Sequence, residues 1–195
     1  MKNVCIVGIQ GNMGRRYKAV LDYLGVGVMG IDVGFTYNTE DYSKADGFIV
    51  ATPTATHMDF LNYLSRYDKP ILCEKPIVIG ELDQTFEKKH LVTLVNQYAY
   101  LVDSSWHGDT YFDYFKTGGD GLAWDCISIL GLSEKRASLN NGSPIWKCAI
   151  NGKELNIADM DTAYIKMVAD WIKNKESNWA YAVKAHKKVL EWLRL

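Results

Sequence analysis

The stretch VCIVGIQGNMGRRY, Val4 to Tyr17, runs four apolar residues into glycines at positions 8, 11 and 14 and then into two arginines. Apolar residues in succession, without alternation, suit a strand covered on both faces. Past the glycines, Met13, Tyr17, Val20, Leu21 and Leu24 fall on one face of a helix over Met13 to Leu24. A chain passing directly from strand to helix must turn sharply, and glycine permits the turn. It also lets a dinucleotide pyrophosphate approach the backbone and the helix N-terminus, where a side chain would stand in the way. Gly8, Gly11 and Gly14 suit turn, contact and close helix packing, in the spacing GxxGxxG rather than GxGxxG. From this stretch alone two readings stay open: glycines that serve only strand-to-helix packing, and glycines that cradle a phosphate.

Asp32 favours the second. It stands eighteen residues after Gly14, at the end of a second apolar run from Gly25 to Ile31. A carboxylate at that place accepts hydrogen bonds from the adenosine ribose hydroxyls. No Arg or Lys lies between Ile31 and Thr39 to neutralise a 2′-phosphate, so NAD is expected over NADP. Arg15 and Arg16 are read either as a solvated helix face or as groups that swing toward the adenosine end.

The pattern of strand and helix then repeats. YNTEDYSKAD, 37–46, reads as a polar connection, and GFIVATP, 47–53, as a third strand stopped by Pro53. Thr56 is placed to cap a helix reaching about Tyr67, with Phe60, Leu61 and Leu64 inward. PILCEKP, 70–76, reads as a fourth strand and LVTLVNQYAY, 91–100, as a fifth. Alternation at this spacing predicts an α/β fold: a Rossmann-type parallel sheet with helices on both faces over residues 1–100. The remainder, 101–195, reads as a small α/β part. Asp109 to Lys116 reads as a short helix, LAWDCISILGL (122–132) as helix or strand, and PIWKCAINGKELNI (144–157) as a hairpin turning at Asn151-Gly152. Two amphipathic helices follow, near Asp161 to Lys173 and Asn178 to Leu193, with Trp171, Trp179 and Trp192 packed across the sheet or on a dimer face.

Composition narrows the function classes. Among 195 residues, 22 Lys and Arg face 23 Asp and Glu for a formal net charge of −1, which gives no electrostatic drive toward nucleic acid or anionic membrane. A small-molecule partner is expected. Cys5, Cys73, Cys126 and Cys148 form no CxxC pair, so no metal site is expected and the thiols are read as reduced. The N-terminus enters VCIVG too soon for a signal peptide, and no apolar run nears the ~20 residues of a membrane span. A cytoplasmic protein is the expectation.

The segment GFIVATPTATHMDFLNYLSRYDKPILCEKP, 47–76, resembles the signature of the glucose-fructose oxidoreductase / inositol dehydrogenase / MocA family, an ATPTxxH segment followed by an EKP triplet. Thr52, Pro53, Thr54, His57, Glu74, Lys75 and Pro76 carry the match. The resemblance covers residues 1 to about 100 and implies an NAD(P)-binding Rossmann domain joined to an α/β substrate domain, here a short member with a reduced C-terminal part. It implies cofactor contacts from Gly8, Gln10, Gly11, Asn12, Met13, Gly14, Asp32, Thr52, Pro53, Thr54, His57, Glu74 and Lys75. The GxxGxxG turn also looks like that of dihydrodipicolinate reductases. Lys75, at the strand edge where ligands of parallel sheets bind, is placed to exchange a proton with a substrate hydroxyl or carbonyl beside the nicotinamide.

The family's second half carries a GG...DxGxH segment with an acid and a catalytic histidine. Here GGDGLAWDCISIL, 118–130, retains Gly118, Gly119 and, by alignment, Asp125, while Ile129 stands where the histidine should be. Lys75 and Asp125 are thus the candidate catalytic residues, and His107 is a substitute candidate or an ordinary loop histidine. Tyr98, Tyr100, Trp106 and Trp124 are aromatic faces for a sugar or planar ligand, or core. Three functions remain. One is an oxidoreductase transferring hydride between a nicotinamide and a hydroxyl or carbonyl substrate, a sugar or polyol derivative. Another is a catalytically silent NAD-binding protein with a structural or sensing role. The third is a structural or interaction protein that retains the fold without the ligand. The shortened second half predicts a homodimer or larger homo-oligomer, with the hairpin at Trp146 to Ile157 as contact.

Overall fold

The structure is a computed structural model that describes residues 1–32, 39–78, 80–82, 85–100, 112–115, 137–139, 147–150, 153–155 and 157–193. The chain divides into two units: Met1–Val95 with Val168–Ala182, and Asn96–Met167 with Val183–Leu195.

The first unit is built on β1 (Asn3–Val7), β2 (Gly27–Ile31), β3 (Gly47–Val50), β4 (Ile71–Cys73) and β5 (Val92–Leu94), all parallel, in the order β2-β1-β3-β4-β5. Every residue of β3 and β4 is buried, as is every residue of β1 after Asn3, as strands packed on both faces require. The order reverses between β1 and β3: β2 lies on one side of β1, and β3 to β5 follow on the other. In an open parallel sheet the crevice at such a reversal, outside the carboxyl ends of the strands, is where ligands bind.

Helix α1 (Asn12–Tyr23) buries Gly14, Tyr17, Val20 and Leu21, while Met13 and Leu24 of the expected stripe are only half-buried. α3 (His57–Leu64) buries His57, Leu61 and Leu64, each large aliphatic side chain contributing about 1.5–3 kcal/mol. Phe60 is only half-buried. Between them α2 (Thr39–Lys44) corrects the reading of 37–46 as a polar connection. Its Tyr42 is fully buried, stacked on Tyr67 at 5.6 Å and edge-on to Tyr63 at 5.5 Å. One aromatic anchor outweighs the polar character of its neighbours. Thr56 does precede α3, but its hydroxyl donates to the Pro53 carbonyl at 2.8 Å, lies 2.9 Å from Thr52 Oγ1 and forms no helix cap. It closes the turn that leads into the helix instead.

Residues 168–182 bring Trp171 and Trp179 into this unit: Trp179 lies 5.2 Å from Phe86 between ring centroids, and a Cβ on Gly47 would sit 3.1 Å from Trp171 Cη2. Asn178 lies along β5, the last strand of the sheet. Its Oδ1 accepts the Leu94 N–H at 2.7 Å and its Nδ2 donates to the Leu94 carbonyl at 2.8 Å, the pairing a further strand would offer.

The second unit holds β6 (Phe112–Phe115), β7 (Ala137–Leu139), β8 (Lys147–Ile150) and β9 (Lys153–Leu155), in the order β7-β6-β8-β9. β6 is parallel to β7 and antiparallel to β8, and β8 and β9 are antiparallel with Ile150 opposite Lys153, the expected hairpin. β6 corrects the expectation of a helix over Asp109 to Lys116: FDYF is rich in residues that favour a pleated sheet, and it is paired on both sides. α4 (Ile157–Asn174) and α5 (Trp179–Leu193) are the two amphipathic helices; α4 begins earlier than its sequence pattern suggests. Among the described residues no helix is long and apolar enough to cross a membrane.

Candidate functional site

The glycine turn joins β1 to α1 at the sheet's carboxyl edge, beside the end of β3. Gly8 has φ +86°, and a Cβ there would lie 2.6 Å from the Ala51 carbonyl oxygen and 2.9 Å from its carbon. Conformation and space both demand glycine. A Cβ on Gly14 would overlap the Gly8 carbonyl oxygen and approach Ile9 Cα to 2.6 Å. On Gly11 it would come 3.3 Å from that same oxygen, a milder conflict. Gly11 is the N-cap of α1 and brings no capping side chain, and the first turn carries no acid. Neither a capping side chain nor a first-turn acid of α1 itself offsets the positive end of the helix.

Asp32 follows β2 and reaches the turn: its Oδ2 accepts the Gln10 N–H at 2.6 Å, while the Ile31 carbonyl accepts the N–H of Gly8 at 2.8 Å. The second strand thereby fixes the turn and sets a half-buried carboxylate beside it. Arg15 is exposed on the helix, and its Nε donates to the Gln10 carbonyl at 2.7 Å.

The loops after β3 and β4 complete the edge. Thr52 lies against the turn, its Cγ2 placed 3.2 Å from where a Gly8 Cβ would be. His57, only 1% exposed, has Nδ1 2.8 Å from the Pro76 carbonyl oxygen and Nε2 2.8 Å from that of Thr52, so it ties the two loops together. Glu74, 7% exposed, accepts the Tyr17 hydroxyl at 2.6 Å and the Lys75 N–H at 3.2 Å. Lys75 is half-buried and precedes Pro76 through a cis peptide. Cys73 is no nucleophile: burial, with the adjacent Glu74 charge adding to it, pushes its thiol well above the ordinary range.

The turn residues Gly8 to Gly14, Asp32, Thr52, Pro53, Thr54, His57, Glu74 and Lys75 therefore all stand on one edge of one sheet. Gln10, Asn12 and Pro53 are exposed there, and Met13, Thr52 and Thr54 half-buried. Asp125, His107, Ile129, Trp106 and Trp124 lie outside the described residues, and Tyr98 and Tyr100 fall in a single 3-10 turn, Gln97–Tyr100. Sequence reasoning placed Tyr17 only in the apolar stripe of α1. A tyrosine in an otherwise aliphatic stripe is the signal that could have found its role, because a buried phenol needs a partner.

No protein-family model matches the chain, and no curated protein matches it by sequence. Solved structures do match. A dehydrogenase, MviM, from Clostridium difficile superposes with a TM-score of 0.76 at 10% identity, over 98% of this chain and 98% of that one. The WlbA (WbpB) dehydrogenase from Thermus thermophilus, in complex with NAD and UDP-GlcNAcA, gives 0.69 at 13% identity, over 100% and 95% of the two chains. A myo-inositol dehydrogenase from Corynebacterium glutamicum gives 0.66 at 13% identity, over 98% and 95%. The chain has the fold of these dehydrogenases. They are of the glucose-fructose oxidoreductase, inositol dehydrogenase and MocA type that the ATPTxxH and EKP segments resemble. At the point where the strand order of that fold reverses, this chain places its three glycines and Asp32.

Proposed function

We propose that the protein is an NAD-dependent oxidoreductase acting on a hydroxyl or carbonyl substrate, a sugar or polyol derivative. The observation that carries this reading is the turn at Gly8 and Gly14, where any side chain would collide with backbone, together with an aspartate bonded to the turn from the end of the neighbouring strand. A dinucleotide fits these groups: Gly8, Gln10, Gly11, Asn12, Met13 and Gly14 would hold its pyrophosphate, Asp32 its adenosine ribose, and Thr52, Pro53 and Thr54 its nicotinamide half. When bound, the nicotinamide supplies or accepts a hydride. Lys75 exchanges the matching proton with the substrate oxygen, and Asp125 is the second candidate catalytic residue. Solved neighbours are named as complexes with NAD, one of them with a UDP-sugar, which supports the cofactor and the substrate class.

Residues 1–100 act in this reading as the dinucleotide domain and 101–195 as a reduced substrate part. The protein works in the cytoplasm as a homodimer or larger homo-oligomer, paired through the hairpin of β8 and β9. Light scattering at micromolar concentration should report more than a monomer. Titrating NADH and NADPH by fluorescence tests the cofactor: NADH should bind more tightly, and Asp32→Ala should narrow the difference. Equal or reversed affinities in the unaltered protein overturn the assignment to NAD. Ile129 at the family's histidine position favours a second reading, a silent NAD-binding protein. NADH binding with no turnover of any polyol or sugar would select it.

A further inference from the structure

Both sequence neighbours of Lys75 are held by buried side chains that come from helices. On its N-terminal side, Glu74 receives the Tyr17 hydroxyl on Oε1 at 2.6 Å and returns a contact to Lys75 itself, Oε2 accepting the Lys75 N–H at 3.2 Å. On its C-terminal side, the Pro76 carbonyl oxygen lies 2.8 Å from His57 Nδ1, and the same ring reaches back to the Thr52 carbonyl at 2.8 Å. Tyr17 is fully buried and His57 nearly so. Drawing a carboxylate and an imidazole out of water is costly unless each is bonded, and stability alone is better served by apolar side chains of similar volume. Here the Tyr17 hydroxyl and the His57 ring converge on one tripeptide, from opposite ends and from different helices.

We propose that Tyr17 and His57 are positioning residues for Lys75: Tyr17 through the Glu74 carboxylate, and His57 through the Pro76 carbonyl, fix the main chain on either side of it. The proposal rests on the reading of Lys75 as the proton-transfer residue. It also places α1 in two roles, since the helix that opens at the glycine turn supplies Tyr17 three residues beyond Gly14. A dinucleotide seated on the turn and the lysine that serves it are thus referred to one rigid element. His57 does the same from α3, joining the Thr52 loop to the Lys75 loop.

The test reads Lys75 without cofactor or substrate. The protein is pulsed with acetic anhydride, and acetylation of Lys75 is measured by mass spectrometry against the exposed Lys18 and Lys88. Tyr17→Phe removes one hydroxyl and keeps the ring, so the protein remains folded. It should change Lys75 labelling by about three- to tenfold, the range that one hydrogen bond spans, with Lys18 and Lys88 unchanged. His57→Gln should act in the same direction. Leu64→Ala, a destabilising change on α3, should leave the Lys75 ratio unaltered, which separates positioning from general loosening. Unchanged Lys75 labelling in Tyr17→Phe, or an equal change in Leu64→Ala, overturns the proposal. A parallel NADH titration of the unaltered protein keeps the tests apart: failure to bind there sinks the functional reading, and the labelling ratio still reports on the brace.

Discussion

The two edges of the five-stranded sheet are held by different kinds of polar contact. At the amino edge most of the contacts are exposed clips. Asp46 accepts the N–H groups of Lys2 and Asn3 at 2.6 and 3.0 Å, Lys88 pairs with Asp68 at 2.9 Å, and Lys69 donates to the Ser43 carbonyl at 2.7 Å and, in a part-buried contact, to that of Ala45. Water can replace either partner in the exposed ones, so those are worth little. At the carboxyl edge Glu74, His57 and Tyr17 are buried, and Gly8 and Gly14 admit no Cβ. There a lost partner leaves a polar group in a dry place, and an added methyl meets backbone. The difference shows which edge tolerates change, and the intolerant one is where an open parallel sheet binds its ligands.

Exchanging glycines between the edges should break this contrast if it is wrong. Gly14→Ala at the carboxyl edge forces backbone apart and should cost about 3 kcal/mol or more, with NADH binding lost. Gly25→Ala at the amino edge, where φ is +69° and nothing lies within 4 Å, should cost only about 1–2 kcal/mol and leave binding intact. Thermal melts with NADH titrations decide, and equal behaviour of the two variants would erase the distinction.

Chemistry comes next in size. Lys75→Met removes the proposed donor and should cut turnover by ~10²–10⁴-fold while NADH affinity stays within a small factor, as steady-state rates and titration on one preparation would show. Full turnover in the variant would move the role to Asp125 or His107. Smaller again is Asn178→Ala, which withdraws both bonds from Leu94 and should cost about 1–3 kcal/mol in urea unfolding.

The smallest effect belongs to Asp46. The N–H groups of Asn3 and then Lys2 hold its carboxyl below the ordinary aspartate value of 3.8. A folded value that is depressed gives stability above the unfolded value, lost as pH falls through the folded one. Asp46→Asn should therefore lower Tm by about 1–2 °C near neutral pH, and the two melting curves should converge below pH 3.8. A constant offset across that range would show that the charge contributes nothing.

The first sheet was legible because its strands are short apolar runs, those of β1, β3 and β4 soon followed by glycine or proline, and because α1 and α3 carry apolar stripes. The glycines were legible because a strand that turns directly into a helix asks for residues without side chains, and Asp32 because it closes the second apolar run. What escaped the sequence depends on partners distant along the chain. Tyr42 anchors α2 on rings at 63 and 67, Tyr17 meets a carboxylate fifty-seven residues away, and Phe112–Phe115 becomes a strand through neighbours at 137–139 and 147–150. No local pattern records those meetings. The double engagement of His57 is of the same kind, although its presence in an ATPTxxH segment had already drawn notice to it.

Asn178 along β5 has a consequence in time. The strand it covers ends at Leu94, so 84 residues must be added before the amide that satisfies Leu94 exists. At common rates of protein synthesis that interval is about 4–17 s, far longer than the microseconds in which small hairpins form. For those seconds the nascent sheet presents an open margin to its surroundings, and a second nascent chain on the same message could add a strand to it. Chaperone engagement during synthesis should accordingly peak after β5 has left the ribosome and fall once the residues around 178 emerge.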